Sequence, residues 1–344
     1  MQHFRSLGID DVYFVLRLRP NQLDQLFSLC PAPGWVDDEW QLFFGTRKLP
    51  KITLKREAST LIVKINIPKI AWNHNVRLAG PKEIRKAIRW FKEFADINLD
   101  QAEVLQVDVC YCESREESIH SILSLFTCPK GFELIDFENG CYFNSKKGRV
   151  TFSPYDKAEH LKKIGLGIPR DVLAECESLH PQLHRFELRI GNDETGRTVR
   201  AELKRLKLWQ SPYFLGSDLY SDNGFNALVR YYERLVLDHV LLLPKVRPQR
   251  TPKSLSTIKS RVALSHLDVT EPERYLEYAE ALHRVGQIGD EVFGETLVEV
   301  ERLHYWMRIR RLKESIHELC EEIFAAHPVI VQKERAPIIG RISI

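Results

Sequence analysis

Three short segments alternate apolar with polar residues, and this pattern limits the possible folds more than any other feature of the sequence. They are residues 106–112 (QVDVCYC), 149–155 (RVTFSPY) and 184–190 (HRFELRI). Because side chains alternate between the two faces of a β-strand, each segment predicts a strand with one apolar and one polar face. Such strands are typical of an antiparallel sheet that packs one face on a core.

The polar sides of these predicted strands carry chemically useful groups. Asp108 lies on that side of the first strand, and Tyr155 on that of the second if the strand extends so far. Arg185, Glu187 and Arg189 lie on that side of the third. If the strands are neighbours, the shared face suits Mg²⁺ or Mn²⁺ together with a phosphodiester, because carboxylates bind hard cations and guanidinium groups bind phosphate. A solvated sheet face with ordinary ion pairs is the alternative interpretation.

The rest of the chain predicts an α+β fold: an antiparallel β-sheet domain with packed helices, followed by a mainly α-helical C-terminal region. Residues 1–210 form the first part, and helical patterns dominate residues 211–344. Further strands are expected at residues 12–19, 52–56 and 61–67, and helices at residues 81–94, 114–126, 195–207, 225–243, 272–285 and 292–326. The helix at 114–126 would begin with a capping box formed by Ser114 and Glu117.

The composition excludes wholesale disorder, because 44% of the residues are hydrophobic and 28% are charged. Every apolar run is shorter than the roughly 18 to 20 residues of a membrane helix, and residues 1–11 lack a signal-peptide pattern, so we expect a cytoplasmic protein that does not enter a membrane. The seven cysteines include no CxxC pair, which favours reduced thiols over a zinc site.

Positive charge is distributed unevenly along the chain, although the net charge is only +3. Residues 245–261 contain six lysines and arginines and no acids, and the prolines around them indicate a stiff basic connector at 244–261. A second basic cluster, Lys146, Lys147 and Arg149, lies at the start of the second of the three alternating segments. Each segment either binds phosphate groups or is ordinary solvated surface.

Four segments, in their order along the chain, resemble the gene II replication proteins of filamentous phages. They are residues 61–80 (LIVKINIPKIAWNHNVRLAG), the strand with Asp108, residues 155–161 (YDKAEHL) and residues 184–190. The resemblance covers roughly residues 60–210, and the order is also similar to that of some plasmid initiators. It implies a nuclease domain that nicks one strand at the origin of a circular phage or plasmid DNA and rejoins it after a round of rolling-circle replication.

The resemblance also implies roles for individual residues. The nucleophile falls on Tyr155, with Lys157 beside it, and the products would be a 5′-phosphotyrosyl bond and a free 3′-OH primer. A phenol has a pKa near 10, so it needs a neighbouring base or cation to attack phosphorus at neutral pH. Asp108 and Glu187 are the expected ligands of Mg²⁺ or Mn²⁺.

Two further metal ligands are weaker candidates. Glu159 lies one residue closer to the tyrosine than the family spacing requires, which makes His160 a competitor for the same role. His74 belongs to a His-Asn pair and is a ligand, a DNA contact or a turn residue.

The implied partner is origin DNA, both as circular duplex and as single strand. We expect contacts to it from Lys146, Lys147, Arg149, Arg185, Arg189, Lys253, Lys259 and Arg261. A basic patch in the last predicted helix either binds DNA or the host helicase or is solvated; it contains Arg308, Arg310, Arg311 and Lys313. Two other functions stay open: a non-catalytic origin-binding replication factor, and a metal-dependent nuclease in which water attacks.

Overall fold

A computed structural model describes most of the chain. The described residues are 5–17, 20–29, 32–36, 39–43, 51–55, 60–72, 74–115, 117–123, 126–148, 150–163, 182–191, 198–237, 243–244, 272–284, 286 and 289–327. Within them the protein has the predicted α+β fold, with an antiparallel sheet followed by helices.

Ten of the described strands form one antiparallel sheet in the order β2-β3-β4-β5-β1-β6-β11-β10-β9-β8, and β7 pairs with β12 separately. The strands are β1 (Arg5–Arg17), β2 (Ala32–Val36), β3 (Glu39–Phe43), β4 (Lys51–Lys55), β5 (Thr60–Asn66), β6 (Glu103–Arg115), β7 (Phe126–Thr127), β8 (Phe132–Phe137), β9 (Gly140–Ser145), β10 (Val150–Asp156), β11 (Gln182–Ile190) and β12 (Leu243–Pro244). Of the three alternating segments, residues 106–112 lie in β6, residues 150–155 in β10 and residues 184–190 in β11. The three strands are neighbours, with β11 between β6 and β10.

The helices are α1 (Pro20–Leu29), α2 (Ile67–Trp72), α3 (Pro81–Ala95), α4 (Ile119–Leu123), α5 (Lys157–Lys163), α6 (Val199–Arg205), α7 (Asp222–Val236), α8 (Pro272–Arg284) and α9 (Asp290–Ala326). Helix α3 begins with proline because the first helical position needs no backbone N–H donor. Its Glu83 carboxylate accepts a hydrogen bond from the Gly80 N–H at 3.2 Å. Among the described helices, none combines the length and apolarity needed to cross a membrane.

The helix expected at residues 114–126 is wrong in its start and its length. Strand β6 continues through Ser114, and α4 occupies only Ile119–Leu123. The reason is the pairing of β6 with β11, which extends to the pair Arg115 and Gln182. Ladder hydrogen bonds to a neighbouring strand therefore outweigh the local capping box of Ser114 and Glu117.

One hydrophobic core joins the sheet to helices from both parts of the chain. It contains Phe91 of α3, Phe186 of β11, Tyr232 of α7 and Ile316 of α9, all of them buried. The Tyr232 hydroxyl also donates a hydrogen bond to the Phe186 carbonyl at 3.0 Å. Core residues thus lie on both sides of position 210, and the division of the chain there stays a prediction.

Candidate active site

Strands β6, β11 and β10 share one polar face, as the alternation predicts. In the sheet Arg189 lies opposite Asp108, and Arg185 lies opposite both Cys112 and Tyr155. Residues opposite each other in an antiparallel pair project to the same side of the sheet. Strand β10 extends to Asp156, so Tyr155 is a strand residue on this face.

Strand β1 adds an acidic residue that the sequence analysis did not select. The register of β1 on β6 shifts between Ile9 and Val12, which is a β-bulge. The bulge lets two adjacent acids turn towards one partner: the Asn66 side-chain amide donates to Asp10 Oδ1 at 2.7 Å and to Asp11 Oδ1 at 2.8 Å. The polar cluster, as we term it, consists of Asp10, Asp108, Tyr155, Lys157, Arg185, Glu187 and Arg189.

Tyr155 lies at the centre of the polar cluster. Its hydroxyl donates a hydrogen bond to Glu187 Oε2 at 3.2 Å. The Lys157 Nζ lies 5.8 Å from the centroid of the tyrosine ring, and the His160 ring lies 5.5 Å from it, centroid to centroid. Burial raises the pKa of Tyr155 well above its ordinary value, and the Glu187 carboxylate adds to this effect. The phenol is therefore neutral in the resting protein.

An acid and an amine next to the tyrosine have pKa values shifted towards each other. Burial, with the Asp108 and Asp10 carboxylates nearby, raises the pKa of Glu187 to about 8. Burial and the Arg185 guanidinium lower the pKa of Lys157 to about 8. Groups that titrate close to neutral pH are suited to proton transfer, and such shifts are concentrated at functional sites.

Arg185 fixes the geometry of the polar cluster from within. It is completely buried. Its Nε donates to Cys112 Sγ at 3.0 Å, its Nη1 to Asp10 Oδ2, and its Nη2 to the Val76 carbonyl at 3.0 Å and to the Asn75 carbonyl. The guanidinium thereby joins β11 to β1 and to residues 74–80, and its predicted contact with DNA stays a prediction.

Asp108 and Arg189 form a bidentate ion pair. Arg189 Nε and Nη2 donate to the two carboxylate oxygens of Asp108, each at 3.0 Å, and Nη2 also lies 3.4 Å from Glu187 Oε1. The Asp108 carboxylate raises the pKa of Arg189. Since the Arg189 side chain is 37% exposed, its guanidinium can be reached by a phosphate group.

Glu187 belongs to a group of candidate metal ligands among the described residues, and the predicted metal role of Asp108 and Glu187 stays a prediction. Ligand atoms of Asp10, Cys110 and Glu187 lie within 4.8 Å of one another, whereas Asp108 has both oxygens on Arg189. Burial raises the pKa of Cys110 well above its ordinary value, so the neutral thiol is a poor ligand. Magnesium is commonly held by one or two carboxylates and completed by substrate phosphates. The Asp10 oxygens already accept hydrogen bonds from Asn66 and Arg185, and the Glu187 oxygens from Tyr155 and Arg189. A metal held by these two residues would share their oxygens with those donors and require loss of the Glu187 proton.

The two weaker candidates lie outside this group. Glu159 is exposed on α5, where its backbone N–H donates to Asp156 Oδ1 at 3.0 Å. His74 accepts a hydrogen bond from the Val76 N–H through Nδ1 at 3.2 Å, which is a turn contact.

Half of the predicted DNA contacts lie among the described residues. Lys146 and Lys147 are exposed at the turn between β9 and β10, while Arg149, Lys253, Lys259 and Arg261 lie outside the described residues. In the helical patch, Arg308 lies 3.6 Å from Glu117, Arg310 pairs with Glu314 at 2.6 Å, and Lys313 donates to the Leu237 carbonyl at 3.1 Å. Arg311 is exposed on the same helix.

A glycine behind the tyrosine is the other site feature missed from the sequence. Gly140 of β9 lies opposite Tyr155 of β10. A Cβ atom at Gly140 would lie 2.3 Å from the Pro154 carbonyl oxygen and 2.7 Å from Tyr155 Cβ, so only glycine permits this close approach. For Asp10 no local signal was present, because it precedes the strand expected at residues 12–19.

Comparisons with known proteins do not identify the chain. No protein-family model matches it. No curated protein matches it either. The polar cluster is therefore the basis on which a function can be inferred.

Proposed function

We propose that the chain is a nicking and joining enzyme that starts rolling-circle replication of a circular phage or plasmid DNA in the cytoplasm of a bacterial host, with Tyr155 as nucleophile. The observation that carries this proposal is the hydrogen bond from the Tyr155 hydroxyl to Glu187, inside a largely buried cluster of acids and cations. The order of the sequence segments that resemble phage gene II proteins supports it.

The proposed step exchanges one phosphodiester bond for another. The Tyr155 oxygen attacks phosphorus while Glu187, which already accepts its hydrogen bond, takes the phenolic proton. The bond from phosphorus to the 3′ oxygen breaks, and the Lys157 ammonium gives that oxygen a proton. The products are a 5′-phosphotyrosyl bond and a free 3′-OH. Rejoining is the same exchange in reverse, so no nucleotide cofactor is consumed.

Two further groups would stabilise the charge on the phosphate. Arg189 is partly exposed beside Glu187 and is held in orientation by Asp108, so it can bind a non-bridging oxygen. A bound Mg²⁺ or Mn²⁺, held by Asp10 and Glu187, would supply additional positive charge at the non-bridging oxygens.

The test is whether DNA becomes covalently attached to Tyr155. Single-stranded fragments that tile the replicon encoding the chain are labelled at the 3′ end, incubated with the purified protein and Mg²⁺ or Mn²⁺, and separated on a denaturing gel. The comparison is between the wild type, Tyr155→Phe and Tyr142→Phe. Tyr142 is a suitable control because it is a strand tyrosine that is 41% exposed, on β9.

The expected result is a protease-sensitive adduct with the wild type and with Tyr142→Phe, and none with Tyr155→Phe. Cleavage without an adduct that persists in Tyr155→Phe would establish attack by water and refute the tyrosine mechanism. Binding of a fragment without any cleavage would leave an origin-binding factor.

A further inference from the structure

Helix α3 presents a row of cations to solvent. Its apolar residues, among them Ile84, Ile88 and Phe91, are buried in the hydrophobic core. The exposed cations are Lys82, Arg85, Lys86, Arg89 and Lys92. At the helical turn of 100° and the rise of 1.5 Å per residue, the five lie within about 120° of the helix circumference and extend about 15 Å along its axis.

The row carries more cations than acids. Among the residues that the structure describes, none of the five cations forms an ion pair. Arg85 lies over the Tyr220 ring, 4.8 Å from its centroid. Of the two acids in α3, Glu83 accepts the hydrogen bond from Gly80, while the exposed Glu93 lies within the arc of the five cations. Asp100 accepts a hydrogen bond from the Tyr220 hydroxyl at 2.8 Å, which places it near Arg85. Five cations against these two acids leave the face with a net positive charge.

We propose that this face of α3 docks on the sugar-phosphate backbone of double-stranded DNA. Duplex DNA carries one negative charge per about 1.7 Å of its axis, so a straight row of about 15 Å can meet several phosphates. Sites for single strands add exposed aromatic rings on which bases stack. On α3 the Trp90 and Phe94 rings are half-buried and stack on each other, with centroids 5.2 Å apart, which favours a duplex.

The link between α3 and the polar cluster is short. Ala79, two residues before the helix, exchanges backbone hydrogen bonds of 2.9 and 3.0 Å with Ile9, the residue before Asp10. Arg185 holds the carbonyls of Asn75 and Val76 just upstream. A duplex bound to α3 would consequently be held at a fixed distance from Tyr155. This consequence rests on the proposed nicking function, whereas the binding itself does not.

The test compares two charge reversals of equal size. Fluorescence anisotropy measures the affinity for a labelled duplex of about 25 base pairs, long enough for several phosphate contacts, at a series of NaCl concentrations. One variant is Lys86→Glu/Arg89→Glu. The matched control is Lys130→Glu/Lys204→Glu, which changes two exposed lysines elsewhere by the same total charge. Circular dichroism checks that each variant is folded, and Lys82→Ala/Lys92→Ala provides a milder second variant.

Each lost phosphate contact makes the slope of log affinity against log salt less negative by about 0.9. The expected result is a slope less negative by about 1.8 for Lys86→Glu/Arg89→Glu, with an unchanged slope for the control. Equal changes in both variants would overturn the proposal. Single-stranded DNA or RNA that competes as well as duplex would also overturn it.

A failure of the proposed docking surface on α3 can be distinguished from a failure of the proposed nicking function. The same preparations are tested for adduct formation on short single-stranded DNA, where α3 variants should match the wild type. Loss of the adduct in every preparation would refute the tyrosine mechanism without affecting the slopes, and unchanged slopes would refute the docking surface without affecting the adduct.

Discussion

The buried ion pair between Asp10 and Arg185 predicts a large and non-additive stability loss. Arg185 is completely buried, and the Asp10 side chain is only 7% exposed. Removing one partner leaves the other charge uncompensated in a low dielectric, which costs about 3 to 5 kcal/mol. We therefore expect Asp10→Asn to lower the free energy of unfolding by about 3 kcal/mol. Arg185→Met should cost more, because the Asn75 and Val76 carbonyls lose their donor at about 1 to 3 kcal/mol each.

The double variant Asp10→Asn/Arg185→Met removes both charges, so its loss should be smaller than the sum of the single losses by about 2 kcal/mol or more. The assay is urea unfolding followed by circular dichroism. An exposed pair provides the control: Arg5 and Glu318 lie 2.9 Å apart with side chains 30% and 62% exposed, and Glu318→Gln should cost less than about 1 kcal/mol. If Asp10→Asn costs no more than this control, the polar cluster is not desolvated and the cause given for its shifted pKa values is refuted.

Three further predictions concern single residues. Gly140→Ala should slow adduct formation by about 100-fold, because the new Cβ would displace the strand with the nucleophile. Gly289→Ala is the control, because the space around Gly289 is open, and it should leave the rate unchanged. Equal rates for the two variants would contradict the prediction. Burial lowers the pKa of His184 to about 3, so the stability that it contributes is complete above about pH 6.5 and is lost as the pH falls towards 3, by about 1.4 kcal/mol per pH unit. The free energy of unfolding is measured with urea at several pH values, and between about pH 6.5 and 3 it should fall less steeply for His184→Gln than for the wild type. The same pH dependence in both proteins would refute the prediction. Cys110→Ala should leave the Mn²⁺ concentration for half-maximal adduct formation unchanged, and a tenfold increase would instead make the thiol a ligand.

The polar face could be predicted because it is encoded locally. In β6 and β11 the alternation of apolar and polar residues places Asp108 and Glu187 on one side, and sheet pairing brings the strands together. Asp10 could not be located in the same way, since β1 was expected to begin at residue 12 and the bulge depends on pairing with β6. Its contact with Arg185 joins residues 175 positions apart, which no local pattern shows. The different partners of the two acids also result from tertiary packing: Asp10 pairs with Arg185, while Arg189 donates to both oxygens of Asp108.

The central position of β1 determines when the polar cluster can assemble during synthesis. Asp10 leaves the ribosome early, but Arg185 follows 175 residues later, an interval of about 9 to 35 s at roughly 5 to 20 residues per second. Strand β5 can pair with one edge of β1 in the meantime, while the other edge stays unpaired until β6 is synthesised. Tyr155 is also made before its hydrogen-bond acceptor Glu187. A chain that stops between these two positions therefore carries the tyrosine without the carboxylate that would receive its proton.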